Sequence, residues 1–262
     1  MPAVTDEKPT PVRRRGRYPK EFRRDEAIVV NEISDVHHGH DDTYGSPRMT
    51  GELRRRGFCD NHTQVERLMA ENGIYAKDGR RKKVRTTIPD LTAPPLPDLV
   101  KRDFSVGEPG LRTCGDITYI PTGESWLYLA DVLDLGSRRV VGFAMDERMP
   151  DDLVMAAMDM AIATRGGEVA GMLFHHDRGS QYLSKDFRAF CDRHDIKQSV
   201  GRIGSSQDNA VAESFWASLE RQLVPRCRFA TRADARRAII VWISHYNAVR
   251  LHSSLGNVPP IE

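Results

Sequence analysis

Cysteine is scarce and scattered, with Cys59, Cys114, Cys191 and Cys227 far apart and none in a CxxC pair. That spacing excludes a disulfide framework and a paired-cysteine structural zinc, so the thiols read as reduced packing residues. Long apolar runs are missing too. No stretch approaches the ~20 apolar residues of a membrane span, and the polar, proline-containing N-terminus has no leader-like apolar segment. No membrane partner is expected, and the expected location is cytoplasmic. There is no internal repeat and no sustained heptad pattern. What remains is a chain of 262 residues, 39% apolar and 29% charged, the make-up of one large globular domain or a large and a small one.

A strong net charge is also lacking, at +2, but its distribution is uneven. Residues 1–102 hold 21 Lys and Arg against 16 Asp and Glu, a balance of +5, while 103–262 hold 18 against 21, a balance of −3. The positive charge falls in three runs: "RRRGRYPKEFRR" at 13–24, Arg54–Arg55–Arg56, and "RRKKVR" with Arg80, Arg81, Lys82 and Lys83. Runs of this kind are solvated faces or sites for a polyanion, and three within one hundred residues favour the polyanion.

Composition divides the chain into four parts. Residues 1–24 form a basic arm, expected to be disordered. Residues 25–87 read as helical. Ile28, Val29, Ile33 and Val36 make a weak apolar stripe, and "HHGHDD" at 37–42 reads as a flexible, solvated helix end rather than a metal site. Met49 and Leu53 then share a face, Gly57 ends that helix, and Thr63 is placed to cap another carrying Val65, Leu68 and Met69. Two short helices about a glycine turn match a helix-turn-helix, and the neighbouring arginines point to double-stranded DNA. Four prolines in "IPDLTAPPLPDL" mark 88–99 as an extended linker.

Residues 100–262 alternate in a different way. Three apolar strands separated by "PTGE" and Gly136 precede a helix, a strand at "GMLFHHD", a helix, a strand at "IKQSV" and two final helices. This order predicts an α/β fold: a mixed five-stranded sheet flanked by helices, as in a ribonuclease-H-like fold. Three acids stand where burial makes them costly. Asp116 follows Cys114 in the first strand, Asp177 directly follows the buried strand, and Glu213 lies beside the apolar face of Ala212, Phe215 and Leu219. Three such carboxylates suit magnesium or manganese. Ser205 and Asp208 read as a capping box opening the Glu213 helix. Asp131 and Asp134 are rival acids, and His175 and His176 read as a strand end rather than a general base.

The strings around the acids, "DITYI", "HHDRGSQY" and "DNAVAESF", resemble the integrase-core transposases of bacterial insertion sequences, in particular the second-frame product of the insertion sequence three family. The resemblance extends to "YGSPRMTGELRRRG" and "YNAVRLHSSLGNVPP", covering about residues 25 to 262. It implies an Asp116, Asp177, Glu213 triad that holds two divalent ions. The implied reaction cleaves a phosphodiester and joins the freed 3′ end to another strand. It places Asp208, Asn209, Ser180 and Tyr182 behind or beside the site, and offers Arg178, Gln181, Asn209, Arg250 and His252 as DNA contacts, the last two alternatively as braces. Asp134 falls outside the site by the same resemblance. Further implications are double-stranded DNA at element ends and target, a homo-oligomer on DNA, a first-frame segment as partner, and association with the bacterial nucleoid.

Three positions depart from that pattern. Thr113 replaces a tryptophan, His176 a serine, and Glu220 a basic residue seven positions after Glu213. The last would repel phosphate unless Arg221 compensates. A catalytically silent DNA-binding transposon remnant is therefore the alternative reading. A plain ribonuclease H leaves the basic helical region and the "YNAVRLHSSLG" tail without a role.

Overall fold

The computed structural model describes residues 20–77, 96–201, 210–224 and 227–262, with side chains of the first helix from Glu26 onward. The basic run at 13–19, the run at 80–85, linker residues 88–95 and the Ser205–Asp208 pair lie outside the described residues.

Three helices form the N-terminal unit: α1 (Lys20–Gly39), α2 (Ser46–Arg55) and α3 (His62–Glu71). Val29, Ile33 and Val36 recur at helical spacing and are buried, whereas Ile28 turns outward with 58% of its surface exposed. Met49 and Leu53 of α2 and Val65, Leu68 and Met69 of α3 complete this small core. Gly57 closes α2 at a φ of 88°, in the left-handed region where glycine carries no Cβ penalty. The cap of α3 is Asn61 rather than Thr63, because the Asn61 side chain accepts the Gln64 N–H at 2.9 Å. The histidine segment is also not a solvated end. His37 and His40 are buried, His40 stacks on Tyr44 at 4.0 Å, and no metal-holding His, Cys, Asp or Glu cluster occurs among the described residues.

The larger unit is built on one mixed sheet: β1 (Arg112–Cys114), β2 (Ile117–Thr122), β3 (Ser125–Asp134), β4 (Val140–Asp146), β5 (Leu173–His176) and β6 (Lys197–Val200). β1 and β2 both pair with β3 in one continuous register, Cys114 opposite Leu133 and Ile117 opposite Ala130. They are one strand interrupted at Gly115–Asp116, which reconciles six segments with a five-stranded sheet. β4 lies on the other side of β3, and β1, β5 and β6 run parallel.

Helix α4 (Asp151–Thr164), the single turn α5 (Ser180–Leu183) and α6 (Lys185–Arg193) cover one face, over Ala130, Val132 and Phe174. Helices α7 (Ala210–Gln222) and α8 (Arg232–Ala248) cover the other, over Cys114, Leu127 and Leu129. This is the α/β ribonuclease-H-like arrangement that the strand and helix order predicts. The last linker residues dock on the sheet edge: Val200 N–H donates to the Pro97 carbonyl at 3.1 Å, and Leu99 N–H to Ser199 Oγ at 2.8 Å. No helix among the described residues is long and apolar enough to cross a membrane.

Candidate active site

Asp116 stands in the break between β1 and β2. Its N–H donates to Asp131 Oδ1 at 3.2 Å rather than to a ladder carbonyl, while its own carbonyl accepts the Asp131 N–H at 3.2 Å. Gly115 permits the close crossing, since a Cβ there would lie 2.6 Å from the Asp131 carbonyl oxygen and 2.7 Å from the Phe174 ring. The Asp116 carboxylate accepts the Ile117 N–H at 2.8 Å.

Asp177 is brought beside it by strand register. β1 and β5 are parallel with Cys114 opposite His175, and Gly115 N–H donates to the His175 carbonyl at 3.0 Å. Two residues further along each strand are Asp116 and Asp177, so the acids leave neighbouring strands at the same level, with strands roughly 4.8 Å apart. Both are half-buried and line one cavity. Asp177 Oδ1 accepts the Gly179 N–H at 2.9 Å, which fixes its rotamer.

Glu213 approaches from the other layer. Ala212, Phe215 and Leu219 bury the inner stripe of α7 in the same core cluster as Cys114 of β1. Glu213, half-buried, directly follows Ala212 in the first turn of α7, and Asp116 lies two residues beyond Cys114. It is not among the residues lining the cavity, and among the described residues the three carboxylates do not close into a three-ligand cluster. The donor set still fits a hard divalent cation: oxygen ligands only, with two acids already side by side.

The rival acids separate by environment. Asp134 accepts from Gly110 and Gly136 N–H, both at 3.1 Å, and from Ser137 Oγ at 2.6 Å, so it fixes the turn after β3. Asp131 is almost wholly buried behind Asp116, and burial, with the Asp116 charge, pushes its carboxyl well above the usual carboxylate range.

His176 is fully buried between Tyr182, stacked at 4.8 Å, and Phe174. Burial pulls its pKa down to about 3, so it is neutral and supplies neither a phosphate-binding cation nor an exposed base. Thr113, also buried, donates its hydroxyl to the Leu173 carbonyl at 3.1 Å, joining β1 to β5.

The remaining sequence candidates fall into three groups. Arg178 donates to the Gly201 carbonyl at 3.2 Å, and Gln181 to the Met149 carbonyl at 3.2 Å, so both tie loops together at the cavity edge. Ser180 is exposed on the turn α5, whereas Tyr182 is buried; its hydroxyl has no hydrogen-bond partner among the described residues and is held protonated by burial and by Asp116, Asp131 and Asp177. Arg250 is buried rather than DNA-facing. It donates to Ser218 Oγ of α7 at 3.2 Å and lies over the Tyr246 ring at 5.5 Å. His252, beside it and edge-on to Tyr246 at 4.7 Å, has a pKa lowered to about 3 by burial and then by Arg250. Arg250 thus braces α7, and His252 packs against Arg250 and Tyr246.

Of the arginine triplet, Arg55 is paired with Glu262, and Arg56 with Glu32 and Glu52. Arg54 is exposed and makes no ion pair among the described residues. Arg80, Arg81, Lys82, Lys83, Asp208 and Asn209 lie outside the described residues. The aromatic wall of the cavity, Tyr119, Trp126 and Tyr128, was not anticipated. Its signal is the two-residue spacing of Trp126 and Tyr128 on the face of the hairpin opposite Leu127 and Leu129.

Comparison with known proteins bears on the same segments. Family models described as integrase core domain match residues 107–206 and 194–260, and one described as HTH-like domain matches 23–83. The chain is 35% identical over 245 residues to the transposase for insertion sequence element IS904 of Lactococcus lactis subsp. lactis (strain IL1403), spanning 93% of this chain and 96% of the relative. It is 37% identical over 218 residues to transposase InsF for insertion sequence IS3A of Escherichia coli (strain K12), spanning 83% and 75%. Among solved structures, the HTLV-2 integrase catalytic core domain in complex with magnesium (dimeric form) aligns at 19% identity with a TM-score of 0.44, over 56% of this chain and 92% of that one.

Proposed function

The chain belongs to the insertion sequence three family of integrase-core transposases, and we propose that Asp116, Asp177 and Glu213 carry its phosphoryl transfer on double-stranded DNA. The observation that carries this assignment is the parallel β1–β5 register, which sets Asp116 and Asp177 at one level on adjacent strands, with α7 packed into the same core cluster as Cys114.

The three carboxylates would hold magnesium or manganese. When bound, two such ions activate the attacking oxygen and stabilise the leaving one. The protein's own groups orient the reactants. Gly179 N–H holds the Asp177 carboxylate, Asp131 holds the Asp116 backbone, and the burial of Ala212 in the core anchors the helix turn that carries Glu213. In the first step, water attacks the phosphodiester and the P–O3′ bond breaks, leaving a 3′-hydroxyl and a 5′-phosphate. In the second, that 3′-hydroxyl attacks a target phosphodiester, displaces its 3′ oxygen and loses its proton to solvent. No side chain becomes covalently attached.

DNA contact is assigned to Arg54 on the helical unit, with the basic runs on either side of that unit. Joining two ends calls for more than one copy of the chain, and a first-frame segment is a further partner. One specific observation favours the silent DNA-binding alternative: Glu220, two turns beyond Glu213, is exposed.

The deciding experiment is a magnesium- or manganese-dependent cleavage and strand-transfer assay on duplexes of the DNA flanking the coding sequence. It compares the native chain with Asp177→Asn and Glu213→Gln, with and without the upstream reading frame. Joining that disappears in both variants supports the assignment. Joining retained by either variant removes that residue from the site, and DNA binding without joining under any condition establishes the silent reading.

A further inference from the structure

The cavity beside Asp116 and Asp177 has a volume of about 440 Å³, within the range of pockets that enclose small organic ligands. Its two ends differ in chemistry. Among the described residues, Asp116 and Asp177 are the only charged groups lining it, and they stand together at one side. The hairpin wall is aromatic: Tyr119 and Tyr128 are directly paired across β2 and β3, and Trp126 precedes Tyr128 by two residues on the same face. The Tyr119 and Trp126 rings meet edge-on with centroids 4.8 Å apart.

These aromatics are not needed to close the core. Ile120, Leu127 and Leu129, on the opposite face of the hairpin, are the buried ones, while Trp126 keeps 44% of its surface exposed. The hairpin is nevertheless held firmly. Arg232 at the start of α8 donates to the Trp126 carbonyl at 3.1 Å and the Glu124 carbonyl at 3.1 Å, and Gly123 N–H donates to the Phe229 carbonyl at 2.9 Å. The opposite rim is closed by the Gln181 bond to the Met149 carbonyl. A large indole is thus presented, on a braced support, to a preformed cavity that opens at the catalytic acids.

We propose that this cavity receives one unstacked nucleobase of the DNA strand under attack, that of a nucleotide next to the scissile phosphate, with Trp126 as its stacking surface. The proposal rests on the phosphoryl-transfer assignment above. A phosphate cannot be held at the aromatic end by the described residues, because none of those lining it is cationic. A flat heteroaromatic ring can, since every base offers a π face to an aromatic platform. Moving a base out of the duplex would also give the acids access to a backbone that stacking otherwise holds straight. Trp126 is therefore assigned as a substrate-positioning residue.

The test uses the full chain and duplexes of the DNA flanking its coding sequence, with 2-aminopurine placed in turn on each side of the cleaved phosphate. Calcium replaces magnesium so that binding is read without cutting. At one position, the native chain is expected to leave 2-aminopurine quenched by the indole, Trp126→Ala to raise its fluorescence several-fold, and Trp126→Phe to restore part of the quench. With magnesium, Trp126→Ala is expected to lower kcat/KM about tenfold on intact DNA. It should have no effect on DNA with an abasic nucleotide at that position. Equal losses on intact and abasic DNA, or no position at which the variants differ in fluorescence, would overturn the proposal. The fluorescence arm needs no cleavage, so a native chain that binds but never cuts would defeat the reaction assigned above while the pocket is still decided.

Discussion

The backbone N–H of Leu251 donates to the hydroxyl of Tyr44 at 2.9 Å, and neither residue is reached by solvent. Arg48 Nε donates to the Leu251 carbonyl at 3.1 Å, and the Leu251 side chain belongs to the core of the N-terminal helices. Asn257 lies so close to α2 that a Cβ on Gly51 would come within 3.0 Å of it. The C-terminal tail is thus part of the helical unit's interior, and one residue away Arg250 reaches Ser218 on α7.

This packing predicts that the two units are not independent. Leu251→Ala is expected to destabilise the whole chain by roughly 2–5 kcal/mol, the usual range for truncating a buried leucine. A fragment spanning 98–262 is expected to melt well below the full chain, because Leu251 and the tail lose their cover. Thermal melts followed by circular dichroism provide the check. A fragment as stable as the full chain would show that the tail packs elsewhere.

Asp131 offers a test of how the strand break is held. Asp131→Asn keeps an acceptor for the Asp116 N–H and is expected to retain cleavage within a few-fold of native. Asp131→Leu leaves that buried donor unsatisfied, which costs about 1–3 kcal/mol, and removes the fixed backbone under Asp116. Strand transfer is expected to fall further than stability in this variant. Equal activity of the two variants, measured at a temperature where both are folded, would show that the hydrogen bond does not position Asp116.

Much of the proposed site could be picked out in the chain itself, because chemistry constrained both residue type and spacing. Asp116 and Asp177 could be singled out as acids bordering apolar strands, and Glu213 as an acid beside a helical apolar stripe. Their juxtaposition depended on the parallel β1–β5 register, a pairing across 61 positions that no local pattern encodes. Contacts of similarly long range hid other features. Arg250, open between a DNA contact and a brace, and His37 and His40, expected in a solvated helix end, are buried: Arg250 reaches Ser218, and His40 meets His245 edge-on at 5.8 Å. The aromatic cavity escaped notice for another reason: aromatic residues in a strand suit a core as well as they suit a ligand.

Acid sensitivity should expose the half-buried His252. Its folded pKa of about 3 lies below the ordinary value of 6.5, so the unfolded chain binds the extra proton between those limits. Stability from this group is full above about pH 6.5 and declines as pH falls toward 3, with a limiting slope of about 1.4 kcal/mol per pH unit. Urea titrations at pH 7, 6 and 5 are expected to show this loss in the native chain and a shallower one in His252→Gln. Parallel pH profiles would mean that His252 is solvated in the folded protein.

Glu220 carries the last expected outcome. It lies seven residues beyond Glu213, so two helical turns and about 10 Å along α7 return it to nearly the same side as the catalytic acid. Arg221 is turned away by one helical step, and its Nε is engaged with the Ala217 carbonyl at 2.8 Å, so the neighbouring cation does not neutralise this side of the helix. If DNA runs along α7 from the site, Glu220 faces phosphate and weakens its binding. Glu220→Lys is then expected to tighten binding to the flanking-DNA duplex and to steepen its dependence on salt by about one counterion. Fluorescence anisotropy across a series of potassium chloride concentrations measures both quantities. An unchanged slope would place the DNA path away from this end of the helix, and would remove Glu220 as the reason to regard the chain as silent.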